Sequence, residues 1–593
     1  MKSLSYLNKY FLKYKYRLLL GIVFVICSNL FAIIPAQLVR KSFDTISKTL
    51  TDLASNPAAT NTKLVWAVFN KEILLYGVLI LAMALMKGVF LFFMRQTIIV
   101  VSRLIEFDLK NEIYAHYQTL PMEFYRKNST GDLMNRISED VGKVRMYIGP
   151  AIMYGMNLIT IFILVISYML SVNVRLTIFV LAPLPLLSIL IYVVSSKIEK
   201  RSTEIQKSLS ELSSFTQEAF SGIRVLKSFV REASSVEKMK LESEIYRSKS
   251  LKLTKTQAFF TPLVMALVGL STILTIYIGG LEVNAGRFTT GNIAEFVMYV
   301  FMLTWSVTSL GWTTSLVQRA AASQKRINEF LETKNNIQSI ENLKPSQTGD
   351  IEFKNVSLQY SDSGIVALKN ISFTIEAGKS LGILGSTGAG KSSLANLIMR
   401  MYDPTEGEIL LNNLNYKQID PNFLRSKMGY VPQDVFLFSD TIAQNISFGI
   451  DNCTQSEIEI AAKRADLYDN IMLFPDKFET IVGERGITLS GGQKQRVSIA
   501  RALAANPEIL IFDDCLSAVD TKTEHAILEN LKEVMKDKTT VIISHRASSV
   551  KLAQHIIVLE EGEIIENGTH EELLSKNGVY AQLYEKQQNV GNN

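Results

Sequence analysis

The stretch Gly385–Ser392, GSTGAGKS, has the residue types and spacing for phosphate capture. Gly385, Gly388 and Gly390 let the backbone turn tightly enough for several N–H groups to face one anion, beside the positive end of the helix that follows. Lys391 is placed to reach the β- and γ-phosphates of a nucleotide, and Ser392 to hold Mg²⁺. Ser386, Thr387 and Ala389 inside the loop and Ser393 behind it complete the expected binding segment. An apolar strand, Lys379–Leu384, leads in and a helix-like run, Ser392–Met401, leads out, which is the context this pattern requires.

Further chemistry lies downstream. A strongly apolar strand, Glu508–Phe512, runs into Asp513 and Asp514. A carboxylate at the end of such a strand, beside a phosphate loop, is the usual second hand on Mg²⁺, here Asp513. Between loop and strand stand YVPQD (Tyr430–Asp434) and LSGGQ (Leu489–Gln493), and after it come Ser517–Asp520 and a strand, Thr540–Ile543, that ends in Ser544 and His545. Upstream, Ile351–Tyr360 alternates like a strand and ends in an aromatic, Tyr360, able to stack on a purine.

These residues need an α/β scaffold, and the sequence after about residue 320 alternates short strands, helical stretches and turns as such a domain does. At 593 residues the chain holds more than one domain, and nearly all its long apolar runs precede residue 320. The expected organisation is an interfacial elbow over 1–17, a membrane domain over 18–330, a linker over 331–350 and a soluble domain over 351–593. The net charge of +6 is small for this length, and no nucleic-acid partner is expected. Cys27, Cys453 and Cys515 form no spaced cluster, so neither a disulfide framework nor a zinc site is implied.

Six apolar segments are each long enough to cross a bilayer: Leu18–Leu38, Ile73–Val101, Tyr147–Leu170, Val174–Ser195, Ala258–Ile278 and Ile293–Leu316. Basic residues before the first, between the second and third, and between the fourth and fifth mark those segments, and hence the soluble domain, as cytoplasmic. Met1–Arg17 should lie along that face of the lipid bilayer. Ser171–Asn173 and Gly279–Asn292 are short outward links, and Lys41–Lys71 is read as an outward loop. The inward links, Ser102–Met146 and Ser196–Gln257, are long and helix-prone, so the helices should run on beyond the membrane. Within them Tyr117–Tyr125 and Ser213–Phe220 are short amphipathic stretches suited to docking on another domain. Lys87 and Arg95 interrupt the second apolar run, and Pro35, Pro150, Pro183, Pro185 and Pro262 could loosen their helices.

The ordered motifs resemble those of an ATP-binding cassette exporter half-transporter, of the multidrug or lipid type, and the resemblance covers nearly the whole chain. It implies an all-α six-helix transmembrane domain fused to an α/β P-loop nucleotide-binding domain, with ATP and Mg²⁺ as cofactors, in the inner (cytoplasmic) membrane. It further implies that Tyr360 stacks on adenine, that Gln433 senses Mg²⁺ and couples to the membrane domain, and that His545 contacts the γ-phosphate. Two cassettes in such families bind ATP head to tail, so Ser490, Gly491, Gly492 and Gln493 would cap a nucleotide held by the other chain's loop. The two amphipathic stretches resemble coupling helices, and Gly483–Gly486 resembles the exporter-specific segment beside them.

One position departs from the family pattern. The residue after the Mg²⁺ aspartate is ordinarily Glu and orients the attacking water, whereas here it is Asp514. Losing a methylene withdraws the carboxylate by roughly 1 to 1.5 Å, and misplacement on that scale costs about a hundredfold in rate. The resemblance is then to the degenerate-site half of a heterodimer, whose partner chain carries Glu at the matching position. A homodimer that hydrolyses ATP with Asp514, and a membrane sensor gated by ATP without pumping, are the alternatives. The cargo is expected to be small or amphipathic; Trp305 and Trp312 could line its cavity.

Overall fold

The computed structural model describes residues 2–55, 62–483, 486, 489–515 and 521–591. The chain forms two compact units, Met1–Gln118 with Gly131–Thr333, and Thr119–Thr130 with Lys334–Asn593.

The first unit is helical, and six of its segments are long and apolar enough to cross a membrane: Lys15–Thr51, Phe69–Thr119, Thr130–Val172, Val174–Ser221, Glu232–Asn284 and Thr290–Leu331. Each outruns its apolar window, because hydropathy marks the thickness of the bilayer and not the length of the helix. The expected outward loop over Lys41–Lys71 is a correction. The first helix continues to Ser55 and the next starts at Thr62. Residues 41–55 contain no Gly or Pro to stop the helix, and Thr49 Oγ1 returns a hydrogen bond to the Thr45 carbonyl at 2.8 Å. Short turns between consecutive spans follow their caps. Asn173 accepts the Leu176 N–H at 3.0 Å, and Thr289 and Asn292 form a reciprocal capping box.

The third, fourth and sixth spans pack around Val165, Met169, Val180, Leu187, Phe296 and Tyr299. A carboxylate is sealed in this packing: Glu295 is fully buried, accepts from Arg40 at 3.3 Å and from the Tyr299 hydroxyl at 2.9 Å. Pro35 and Pro262 sit inside continuous helices. The stretch Ser213–Phe220 differs from expectation. It is the last part of the helix Pro183–Ser221, which stops at Gly222, and the separate short helix is Ile223–Ser228.

The second unit is α/β. Strands β1 (Ile351–Gln359), β2 (Val366–Ile375), β4 (Glu406–Leu411) and β5 (Leu414–Asn415) form an antiparallel sheet in the order β2-β1-β4-β5. A second sheet holds β3 (Ser380–Gly385), β6 (Met428–Val431), β7 (Ile509–Asp513), β8 (Thr539–Ser544), β9 (His555–Glu560) and β10 (Glu563–Gly568), in the order β10-β9-β3-β8-β7-β6. All its pairings are parallel except β10 with β9. β3, β7 and β8 are buried at every position, as strands of a parallel sheet covered on both faces must be. Two apolar clusters cover it, one around Leu384, Phe512 and Ile542 and the other around Ile383, Ile511 and Ile543. The strand order decides where chemistry can occur. The carboxyl ends of β3, β8 and β7 lie side by side, and in open α/β sheets that edge is where ligands bind.

Thr119–Thr130 belongs to this unit although it lies between the second and third spans. The preceding helix ends before Pro121, and the short helix Met122–Lys127 follows.

Candidate functional site

The phosphate loop leaves β3 at Gly385, where a Cβ would lie 2.4 Å from the Leu559 carbonyl oxygen of the neighbouring strand. Gly388 and Gly390 take left-handed backbone angles, φ +87° and +102°, and a Cβ on Gly390 would meet the Ala367 carbonyl at 2.4 Å. Only glycine fits both demands at Gly390, and the helix Lys391–Ile398 starts there without a side-chain cap. Its first N–H groups are therefore left facing the loop, where an anion satisfies them.

Lys391 folds back over the loop and donates to the Gly385 and Ser386 carbonyls at 2.9 and 2.8 Å. Burial pushes its ammonium below the usual lysine range, while Asp514 and Asp513 pull the other way. A cation held by two neutral carbonyls is under-compensated and fit to trade them for a phosphate oxygen.

Asp513 ends β7 within reach of the loop. Its Oδ1 accepts from Ser392 Oγ at 3.3 Å and its Oδ2 from the Tyr430 hydroxyl at 3.4 Å. Burial raises its pKa, and Asp514 adds to that, against the two hydrogen bonds and Lys391. A buried carboxylate beside a hydroxyl offers a hard cation two oxygens and gains a missing counter-charge, so Ser392 and Asp513 fit Mg²⁺.

Asp514 follows in a left-handed conformation, φ +48°, and is nearly buried. Aspartate is among the residues that tolerate this region. Parallel pairing of β7 with β8 sets Asp513 against Ile543, which brings the next residues of both strands together. His545 Nδ1 lies 2.9 Å from both oxygens of Asp514, and Ser544 Oγ donates to Oδ1 at 3.3 Å. The carboxylate is thus held toward the end of β8.

Tyr360, Thr387, Gly388, Gly390, Lys391, Ser392, Ser393, Gln433, Asp513, Asp514 and His545 line one cavity of about 510 Å³. That volume falls within the roughly 300–1,000 Å³ of small-molecule sites. Gln433 reaches it from the loop after β6, and Tyr360 from the end of β1 with its hydroxyl 2.9 Å from Ser393 Oγ. Gly385, Ser386 and Ala389 form the loop's backbone behind it. Ser490–Gln493 are not in this cavity. Ser490 caps the helix Gly491–Ala504, with its own N–H donating to Gln493 Oε1 at 2.9 Å and the Gln493 N–H donating to Ser490 Oγ at 3.3 Å. Ser517–Asp520 and, within Gly483–Gly486, Glu484 and Arg485 lie outside the described residues.

Arg126, which also lines the cavity, was not expected. A lone arginine following an amphipathic stretch carries no local signal of a partner more than two hundred residues away.

Comparison with known proteins agrees with this architecture. The family model described as "ABC transporter transmembrane region" matches residues 18–307, and that described as "ABC transporter" matches residues 368–517. The "Probable multidrug resistance ABC transporter ATP-binding/permease protein YheI" of Bacillus subtilis is 36% identical over 99% of this chain and 97% of its own length. The "Multidrug resistance-like ATP-binding protein MdlA" of Escherichia coli is 35% identical over 81% of this chain and 82% of its own. In fold, the chain is similar to a solved bacterial Atm1-family ABC exporter with ATP bound, at a TM-score of 0.77 and 24% identity, covering 96% of this chain and 99% of that one.

Proposed function

The chain belongs to the ATP-binding cassette transporters, with an ATPase fused to its membrane unit, and from that premise we propose that it exports a small amphipathic, drug- or lipid-like solute as one half of a heterodimer. The second unit faces the cytoplasm and the first crosses the cytoplasmic membrane, in keeping with the basic residues of the inward links. The multidrug names of its relatives support the substrate class.

The nucleotide site divides the labour. Lys391 and the loop's N–H groups hold the phosphates of ATP, and Ser392, Asp513 and Gln433 surround Mg²⁺, which when bound neutralises charge on the β- and γ-phosphates. Tyr360 takes the base. Ser490, Gly491, Gly492 and Gln493 close over the nucleotide on the partner's loop, and the partner's equivalent segment closes over this one. ATP favours the closed pair through contacts made only when the cassettes meet, and that difference drives the membrane helices from inward- to outward-open.

The observation that carries the asymmetry is Asp514. Its carboxylate is one carbon shorter than the usual Glu and is held by Ser544 and His545. It is poorly placed to orient a water on the γ-phosphate, so this chain's own site binds ATP and hydrolyses it slowly. A second reading, a homodimer, is favoured by the same contact in one respect: His545 and Asp514 share the cavity with Lys391, so a complete if short-armed set of groups is present.

The test is ATP-dependent uptake of a fluorescent amphiphile into inside-out vesicles. Vesicles holding this chain with a half-transporter bearing Glu at the matching position are expected to accumulate the dye, and vesicles holding this chain alone are not. Full uptake by this chain alone establishes the homodimer. ATP turnover without directional movement, in either preparation, overturns export.

A further inference from the structure

Tyr360, at the rim of the cavity, has one of its faces covered. Arg126 lays its guanidinium over the ring with Cζ 4.0 Å from the ring centroid, and both residues line the cavity that holds Lys391 and Asp513. Arg126 Nε is paired with Asp362 at 3.0 Å. Tyr402 meets the Tyr360 ring nearly at right angles, with centroids 5.3 Å apart. The helix that presents Arg126 also grips the turn that follows Tyr360: Ser361 Oγ donates to Glu123, and Lys127 Nζ donates to Ser361 Oγ at 3.2 Å.

A planar base between two groups needs a van der Waals gap on each side, about 7 Å in all at carbon contact distances. The 4.0 Å between Arg126 and the ring leaves no room for one. Base and guanidinium must exclude each other from this face.

We propose that Arg126 is a displaceable cover on the base-binding face of Tyr360, so that a purine nucleotide must lift the guanidinium from the ring. The lift changes the grip of the link between the second and third spans on the turn Ser361–Ser363. The inference rests on the reading that the cavity takes ATP. It adds that the link senses the base, and not only the phosphates. Asp362 gives the released guanidinium somewhere to stay, so displacement costs the cation–π contact and not the whole charge. A ligand with phosphates and no base incurs no such cost.

The experiment compares equilibrium binding of Mg-ATP and of Mg-ribose 5′-triphosphate, which carries the same charge and lacks the base, to the full chain in lipid nanodiscs, using wild type, Arg126→Ala, Arg126→Lys and Lys391→Ala. The readout is the ratio of the two affinities, because loss of a positive charge weakens both ligands alike and leaves the ratio unmoved. Arg126→Ala is expected to shift the ratio about two- to fivefold in favour of ATP, the worth of one exposed cation–π contact. Arg126→Lys, which keeps the charge but stacks less well, is expected between the two. An unchanged ratio, or one shifted against ATP, overturns the cover. Should wild type bind neither ligand, or Lys391→Ala weaken neither, the nucleotide reading itself fails and takes this inference with it.

Discussion

Two helices of the second unit start in opposite ways. The helix Lys391–Ile398 begins on a left-handed glycine with no side-chain cap, and Lys391, Ser392 and Asp513 stand around its exposed N–H groups. The helix Gly491–Ala504 begins on Ser490 inside a closed capping box with Gln493, and its first turn carries no acidic residue. The first end is wired for an anion and a cation together. The second brings a hydroxyl and two glycines to the surface and has no phosphate grip of its own. A chain that carries both at separate places is furnished to hold one nucleotide and to cover another, and each prediction below presses on that contrast.

Ser490→Arg presses hardest. In the proposed heterodimer Ser490 would cover the partner's site, where most of the hydrolysis is expected, and an arginine there would both remove the hydroxyl and block the approach of the two cassettes. Steady-state ATP turnover is expected to fall by about 10²–10³-fold, the usual cost of losing a well-placed donor at a reacting phosphoryl or acyl group. Near-normal turnover breaks the assignment of the two helix ends to different nucleotides.

Asp514→Glu sharpens the contrast from the other end. If one methylene is the defect, single-turnover hydrolysis at this chain's own loop, measured with the partner's loop lysine replaced, is expected to rise by up to about a hundredfold. No rise assigns the limit to the hold of Ser544 and His545 on the carboxylate, since those contacts and not the reach would then set its direction.

The sequence made the first helix end legible because its parts are neighbours in the chain. A strand, three glycines, a lysine and a serine fall within fourteen residues, Lys379–Ser392, and the spacing alone implies the geometry. The pairing of Asp514 with His545 was not legible in the same way. It depends on β8 lying between β3 and β7, and sheet order is a property of the whole fold. Arg126 over Tyr360 was invisible for the same reason. In the membrane unit, apolar runs located six spans and the helix-prone inward links showed that the helices run on beyond them, but the first helix was cut short at 41. The helices stop at local breakers, such as Gly222 and the turn at Gly286 with its φ of +70°, and run straight through polar stretches such as 41–55 that lack them.

Lys391→Ala makes the smallest difference and is the most diagnostic of asymmetry. Removing the ammonium takes away a charge-assisted hydrogen bond worth about 1.5–3 kcal/mol, which weakens ATP at this loop by roughly 10–100-fold. In the proposed pair, binding is all this site would supply, and excess ATP would refill a weakened site. Turnover of the pair at saturating ATP is therefore expected to fall by less than about threefold, with the loss growing as ATP is lowered. The same substitution in the partner removes the site that turns over, and excess ATP does not restore it. A titration of ATP against turnover for the two single variants reads this directly. If Lys391→Ala proves the more damaging of the two at saturation, the competent site is on this chain, and Asp514 does the work of the usual Glu.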